Sequence, residues 1–291
     1  MRAARLLVVL ILAACLLAAS APDEPAAARV HPFTKVAVLF LENHGYDQII
    51  GSPDAPYLNR LARHGALATH YYAVAHPSVP NYLALTTGST QGVTSDCNAC
   101  DTSAPSLAGQ LTAARVPWRA YFESIPARGF EGRGAGDYTK HYNPFAYSEQ
   151  TGVAVGRRHV VGFGALRHDL SRGSLPRFSW IAPNLVHDGH NASVRASDRF
   201  AARLVPRIER ALGPGGVLFV TWDEAQGVTG PAGGRVALIA TGSGARRAAR
   251  STAPADHYSL LATIESGLGL PRLGHAATAP VAPVTALLER G

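Results

Sequence analysis

Lysine, cysteine and methionine are scarce in this chain of 291 residues, which has two lysines, Lys35 and Lys140, among 27 basic side chains, three cysteines and one methionine. Three cysteines cannot build a disulfide-stapled miniature fold. After the leader no apolar run approaches the ~20 residues that a membrane-spanning helix needs. No basic run or aromatic-interleaved basic patch marks a nucleic-acid surface, so the net charge of +7 reads as arginine-rich composition with some attraction for anionic substrates. Charged residues make up 16% against 47% hydrophobic, enough for one substantial core. No internal repeat and no linker divides the chain, and a single catalytic domain is expected over residues 30–291.

The first 28 residues read as a secretory signal. Arg2 and Arg5 precede the short apolar stretch Leu6–Leu12, and small residues follow. Two exits are open. Leu12-Ala13-Ala14-Cys15 resembles a lipobox, which would make Cys15 a lipid anchor and the chain's one link to a membrane; cleavage near Ala19-Ser20-Ala21 or Ala26-Ala27-Ala28 would release it. Either way the protein is expected outside the cytoplasm, secreted or held at a bacterial cell envelope. Cys97 and Cys100 form a Cys-x-x-Cys in a polar loop. Such a pair can be a redox couple, half a zinc site or a local disulfide; no second pair completes zinc, and an oxidising compartment favours the disulfide.

Two apolar runs, Val36–Leu41 and Val217–Trp222, are continuous rather than alternating, as in strands covered on both faces. Each ends in an acidic couplet, Glu42-Asn43 and Asp223-Glu224. In open α/β sheets ligands bind beyond the carboxyl ends of the strands. Three carboxylates and an amide delivered there repel one another unless a cation sits between them, and oxygen ligands suit a hard divalent ion. The ordinary alternative is helix capping or pairing with arginines. Further strands are expected at Trp118–Phe122, Phe178–Ala182 and Arg235–Ala240, and helices at 56–67, 77–87, 106–114, 198–212 and 256–268. Residues 126–173 read as one long, Gly-rich, irregular loop region. Alternating strands and helices imply an α/β fold, a mostly parallel central sheet with helices on both faces.

Ser78, in His76-Pro77-Ser78-Val79-Pro80-Asn81-Tyr82, falls in the first turn of a helix. There the unpaired N–H groups and the helix dipole favour a bound phosphate or an alkoxide, whereas a bare serine at that place is ordinarily an N-cap.

Six motifs in order, Val38 to Asn43, His76 to Tyr82, His141-Tyr142-Asn143-Pro144-Phe145, Pro183 to His190, Trp222-Asp223-Glu224 and Asp256 to Leu261, resemble the bacterial phosphoesterase family of acid phosphatases and phospholipases C, within the alkaline phosphatase superfamily. The resemblance implies a fold of that superfamily and a phosphoester hydrolase acting on a small phosphorylated substrate. It implies that Glu42, Asn43, Ser78, Asp223 and Glu224 hold a divalent metal, with Asp188 in the region where two-metal relatives carry a second ion. Ser78 would be the nucleophile, passing through a phosphoserine. His190 and His257 would meet phosphate or protonate the leaving oxygen, with His257 pointing into the crevice from a helix capped by Asp256. His76, Asn81, His141 and Asn143 would contact substrate. Tyr82 stands where sulfatases and phospholipase C members carry arginine, which argues against a sulfatase and tilts the chain toward small monoesters. The other readings are a phosphodiesterase or phospholipase C of the same family, or a non-catalytic extracellular binding module, which would lack a ligand or the nucleophile.

Overall fold

The computed structural model describes residues 30–227, 232–278 and 280–289. The leader, its cleavage region and Cys15 lie outside these residues.

The two continuous apolar runs form the centre. Val36–Leu41 (β1) and Val217–Trp222 (β8) are buried at every position and pair in parallel, with Leu41 opposite Trp222. Beside β1 lie Phe178–Ala182 (β7), Trp118–Phe122 (β3) and Val160–Gly162 (β6). Beyond β8 lie Arg235–Thr241 (β9), Ala66–Tyr72 (β2) and the short Arg250–Ser251 (β10) and Ala255–Asp256 (β11). The sheet order is β10-β2-β9-β8-β1-β7-β3-β6, with β11 also on β2. Among the described residues only β9 runs against the others in this sheet, so the carboxyl ends of the rest share one edge. Gly134–Ala135 (β4) and Tyr138–Thr139 (β5) form a separate small hairpin.

The helices are Tyr46–Ile49 (α1), Pro56–His64 (α2), Ser78–Thr87 (α3), Leu107–Ala113 (α4), Gly152–His159 (α5), Phe163–Arg172 (α6), Val194–Leu212 (α7) and His257–Leu268 (α8). The sheet carries them on both faces: α7 packs with α2 and α6 on one, and α3 packs with α8 and α4 on the other. Every residue of α3 is buried, which makes it a core helix rather than an amphipathic surface one. An aromatic stack of Phe40 on Trp180, with centroids 4.4 Å apart, lies against the Tyr82 ring of α3. Among the described residues no helix is long and apolar enough to cross a membrane.

The structure departs from expectation in three places. The helix expected through residue 67 stops at His64, and Ala66–Tyr72 is a strand. Gly65 marks the change because a Cβ there would stand 2.5 Å from the Ala240 carbonyl oxygen, so only glycine lets the chain turn so close to β9. The stretch 126–173 holds β4, β5, α5, β6 and α6. In α6 the buried Phe163, Leu166 and Leu170 follow helical spacing, hidden in the sequence by intervening glycine and charged residues. Finally, α7 begins at Val194, four residues before the expected start.

Candidate active site

The register of β1 against β8 carries the two acidic couplets to the same point of the sheet edge. Asp223 N–H donates to the Leu41 carbonyl at 3.2 Å, and Glu42 N–H donates to the Asp188 carbonyl at 3.1 Å, which brings the loop after β7 alongside. Asn43 takes a left-handed φ of 50° and turns its N–H onto Asp223 Oδ1 at 3.0 Å. Ser78, 6% exposed at the start of α3, lies between the acids: its Oγ is 3.3 Å from Glu224 Oε1 and 3.5 Å from Glu42 Oε2. The Tyr82 hydroxyl, one helical turn further on, donates to Glu42 Oε1. His76 Nδ1 lies 2.5 Å from Glu224 Oε2.

Four buried acids therefore face one crevice, Glu42, Asp188, Asp223 and Glu224. Burial, then repulsion by Asp223 and Asp188, pushes Glu42 well above the carboxylate range. Burial, with Asp223 and then Asp96 adding to it, pushes Glu224 up to about 9, and burial raises Asp188 to about 8. Asp223 is raised by burial against several hydrogen bonds that lower it. Among the described residues no lysine or arginine pairs with any of the four, and the Oδ2 atoms of Asp188 and Asp223 are buried without a hydrogen bond. No three His, Cys, Asp or Glu side chains among the described residues form a ready-made metal shell. What the crevice offers is a mixed oxygen set, carboxylates with the Ser78 hydroxyl among them, whose repulsion and orphaned oxygens a hard divalent cation would relieve.

Other expected residues have different surroundings. Asn81 accepts from Val74 and Ala75 N–H, each at 3.0 Å, and donates to the Ala75 carbonyl at 2.8 Å; its amide braces the loop before Ser78. His257 is buried with both ring nitrogens engaged, by the Tyr71 hydroxyl and the Asp223 carbonyl, so it does not project free into the crevice. Burial lowers its pKa. Asp256 does cap α8, accepting from Ser259 N–H at 2.9 Å. His190 is exposed and bonds its neighbour Asn191, while its N–H caps Asp188 Oδ1 at 2.7 Å. Asn143 is turned toward Tyr138, to whose hydroxyl it donates at 2.9 Å, and half-buried His141 makes only a backbone bond, to Thr139. Neither bonds to any of the four acids.

Several residues make contacts at the site that are not expected from the sequence. Tyr82 lies at the i+4 position from Ser78 and so shares its helix face, a spacing that is readable. Asp96 accepts from Val79 N–H at 3.0 Å and caps the start of α3. It precedes the Cys97–Cys100 disulfide, whose loop is held by buried Lys140 through the Asn98 carbonyl and Asp101. Glu123, at the end of β3, holds His187 at 2.8 Å. These partners are remote in sequence, and no local pattern announces them.

Residues 51–271 match the phosphoesterase family. The chain is 32% identical over 286 residues to a phosphatidylinositol-3-phosphatase of Mycobacterium tuberculosis, across 96% of this chain and 92% of that one. It is 27% identical over 256 residues to a phosphate-repressible acid phosphatase of Penicillium chrysogenum, across 83% of this chain and only 60% of the fungal one. The fold is like that of an alkaline phosphatase superfamily protein from Vibrio parahaemolyticus, with a TM-score of 0.60 at 15% identity over 87% of this chain and 72% of that one. With that match laid over a serine set among four acids at the sheet edge, the chain belongs to the phosphoesterase family and is a hydrolase of phosphoric esters.

Proposed function

We propose that this chain is an exported, metal-dependent phosphomonoesterase that works through a phosphoserine at Ser78. The observation that carries the reading is the place of Ser78: its Oγ stands within 3.5 Å of Glu42 and Glu224 at the amino end of a buried helix. Glu42, Asn43, Ser78, Asp223 and Glu224 would hold the ion, with Asp188 beside them. When bound, a divalent cation supplies the positive charge that balances these acids and makes a serine hydroxyl more acidic. The chain's own groups supply the rest. The amino end of α3 favours the anionic form of Ser78 and of a phosphoryl group. Burial excludes water from the acids. His76, half-exposed and anchored on Glu224, and the exposed His190 are the imidazoles able to exchange a proton with the leaving oxygen and with water. Export is supported by the basic and apolar pattern of residues 2–12.

Small monoesters are favoured by Tyr82 at the position where diesterase relatives carry arginine, and by the fungal acid phosphatase relative. Identity of 32% along almost all of the mycobacterial phosphatidylinositol-3-phosphatase supports a second substrate, the monoester on an inositol lipid headgroup. The test is phosphate release from nitrophenyl phosphate, glycerol phosphate, bis(nitrophenyl) phosphate, phosphatidylinositol 3-phosphate and phosphatidylcholine, with and without added divalent ions. Release led by the monoesters is expected. Turnover led by the diester or by phosphatidylcholine would make the chain a phosphodiesterase or phospholipase C, and no release from any compound would favour the binding module.

A further inference from the structure

The four acids share a pattern: each has one oxygen engaged and the other turned to the crevice or left unbonded. Asp223 Oδ1 accepts from Asn43 N–H, and Asp188 Oδ1 accepts from His190 N–H, while both Oδ2 atoms have no partner. Glu224 Oε1 accepts from Ser78 at 3.3 Å, while Oε2 lies 2.5 Å from His76 Nδ1 but has no hydrogen bond. Glu42 Oε1 accepts from Tyr82, while Oε2 faces Ser78. We infer that Tyr82 fixes Glu42 as a one-oxygen ligand and thereby selects a small six-coordinate divalent ion over calcium; the inference rests on the metal-dependent reading above.

The geometry leaves the phenol little choice. Tyr82 is 1% exposed, and its ring is held by Phe40, Trp180 and Tyr142 at centroid distances of 5.5, 6.1 and 6.4 Å, so it cannot swing away from Glu42. A phenol O–H to a carboxylate is a charge-assisted bond, among the stronger kinds, and a cation seeking both oxygens of Glu42 would have to break it. Calcium takes about 6–8 oxygens and readily uses carboxylates bidentately, whereas magnesium demands near-octahedral single contacts. Acids that each offer one oxygen suit the second kind of ion. Ser78 and Tyr82 divide the labour on one face of α3, the serine meeting the free oxygen of Glu42 and the tyrosine holding the other.

The experiment compares the metal-stripped wild type with Tyr82→Phe, which keeps the ring and removes the hydroxyl. Affinities for Mg²⁺, Mn²⁺ and Ca²⁺ are measured by calorimetry, with thermal melts of the stripped proteins to verify folding. The expected result is a Mg²⁺ and Mn²⁺ affinity lowered by about 10- to 100-fold in the variant, the usual range for losing a partner of a metal ligand, with Ca²⁺ affected less, so that the preference for the small ions narrows. Equal loss for all three ions, or unchanged affinities, would overturn the assignment. A wild type that binds no divalent ion at all would instead remove the metal-dependent reading and this inference with it. Infrared difference spectra of the Mg²⁺-loaded wild type give a second measurement that needs no folded Tyr82→Phe: the carboxylate bands lost in Glu42→Gln should show the wide splitting of one-oxygen ligation, and a narrow bidentate splitting would overturn the proposal.

Discussion

His257 donates its Nε2 proton to the main-chain carbonyl of Asp223 at 2.7 Å. Its Nδ1 accepts from the Tyr71 hydroxyl at 2.8 Å, so the neutral ring has a fixed tautomer and braces the acidic couplet from behind. A ring with both nitrogens engaged has no free position from which to protonate a leaving group. His257→Ala should therefore lower kcat/KM for alkyl and aryl phosphates by the same factor, on the order of tenfold. Unequal losses, with the poorer alkyl leaving groups hit harder, would restore a direct role in proton transfer.

The same histidine carries a pH signature. Burial lowers its pKa in the folded state, so between that value and the unfolded value of about 6.5 the unfolded chain binds more protons. Its stabilising share is present above pH ~6.5 and is lost as pH falls through that window. Melting curves of His257→Gln compared with wild type should converge on acidification, and a gap that widens at low pH would refute the assignment.

Ser78→Ala should leave the melting temperature nearly unchanged, since the hydroxyl's contacts to Glu42 and Glu224 are long, at 3.5 and 3.3 Å. Turnover should fall by roughly three orders of magnitude or more, and no phosphorylated protein should be trapped on acid quench. Substantial residual activity would exclude the covalent route.

Asp223→Asn separates stability from function. Removing one of four crowded, buried carboxylates should stabilise the metal-free protein by about 1–2 kcal/mol, because a buried charge without a counter-ion is costly. The rise in melting temperature that Mg²⁺ or Mn²⁺ gives the wild type should disappear. A destabilised apo variant that still responds to metal would show that repulsion does not dominate at this edge.

Glu265 supplies a test remote from the chemistry. It is fully buried on α8, accepts from Leu273 N–H at 3.1 Å and leaves Oε2 unbonded; burial pushes it up to about 8. The folded state therefore holds a proton that the unfolded chain has released, and Glu265's contribution is full below pH ~4.5 and is lost as pH rises through about 8. Glu265→Gln should flatten that decline and gain on the order of 5 kcal/mol over wild type at pH 8.5. An unchanged pH profile would mean that Glu265 ionises freely in the folded state.

The strands β1, β3, β7 and β8 are legible at their observed bounds: β1 and β8 because continuous runs rich in β-branched and aromatic residues have one stable home, a sheet covered on both faces, and β3 and β7 because short aromatic-rich segments read as strands even with Arg119 and Ser179 within them. Ala66–Tyr72 is not: Ala-Leu-Ala continues the helical pattern of the preceding residues, and only the contact of Gly65 with β9 decides against it. The acidic couplets and Ser78 are legible because strand ends and helix starts are local events. The partners of Asn81 and His257 are settled by bonds to the 74–75 loop and to Tyr71 and Asp223, and residue type alone cannot tell a histidine that meets substrate from one that holds a carbonyl.

The acids Glu42, Asp223 and Glu224 directly continue β1 and β8, two neighbouring interior strands of the sheet whose every residue is buried. Their geometry is thus tied to the last amides to open. Local fluctuations of the surface helices can change substrate access, while dispersing these three carboxylates requires breaking the sheet's centre. Hydrogen exchange at Leu39, Leu41 and Val220 should accordingly be governed by global unfolding, and catalytic activity should disappear on heating together with the fold, with no earlier loss of its own.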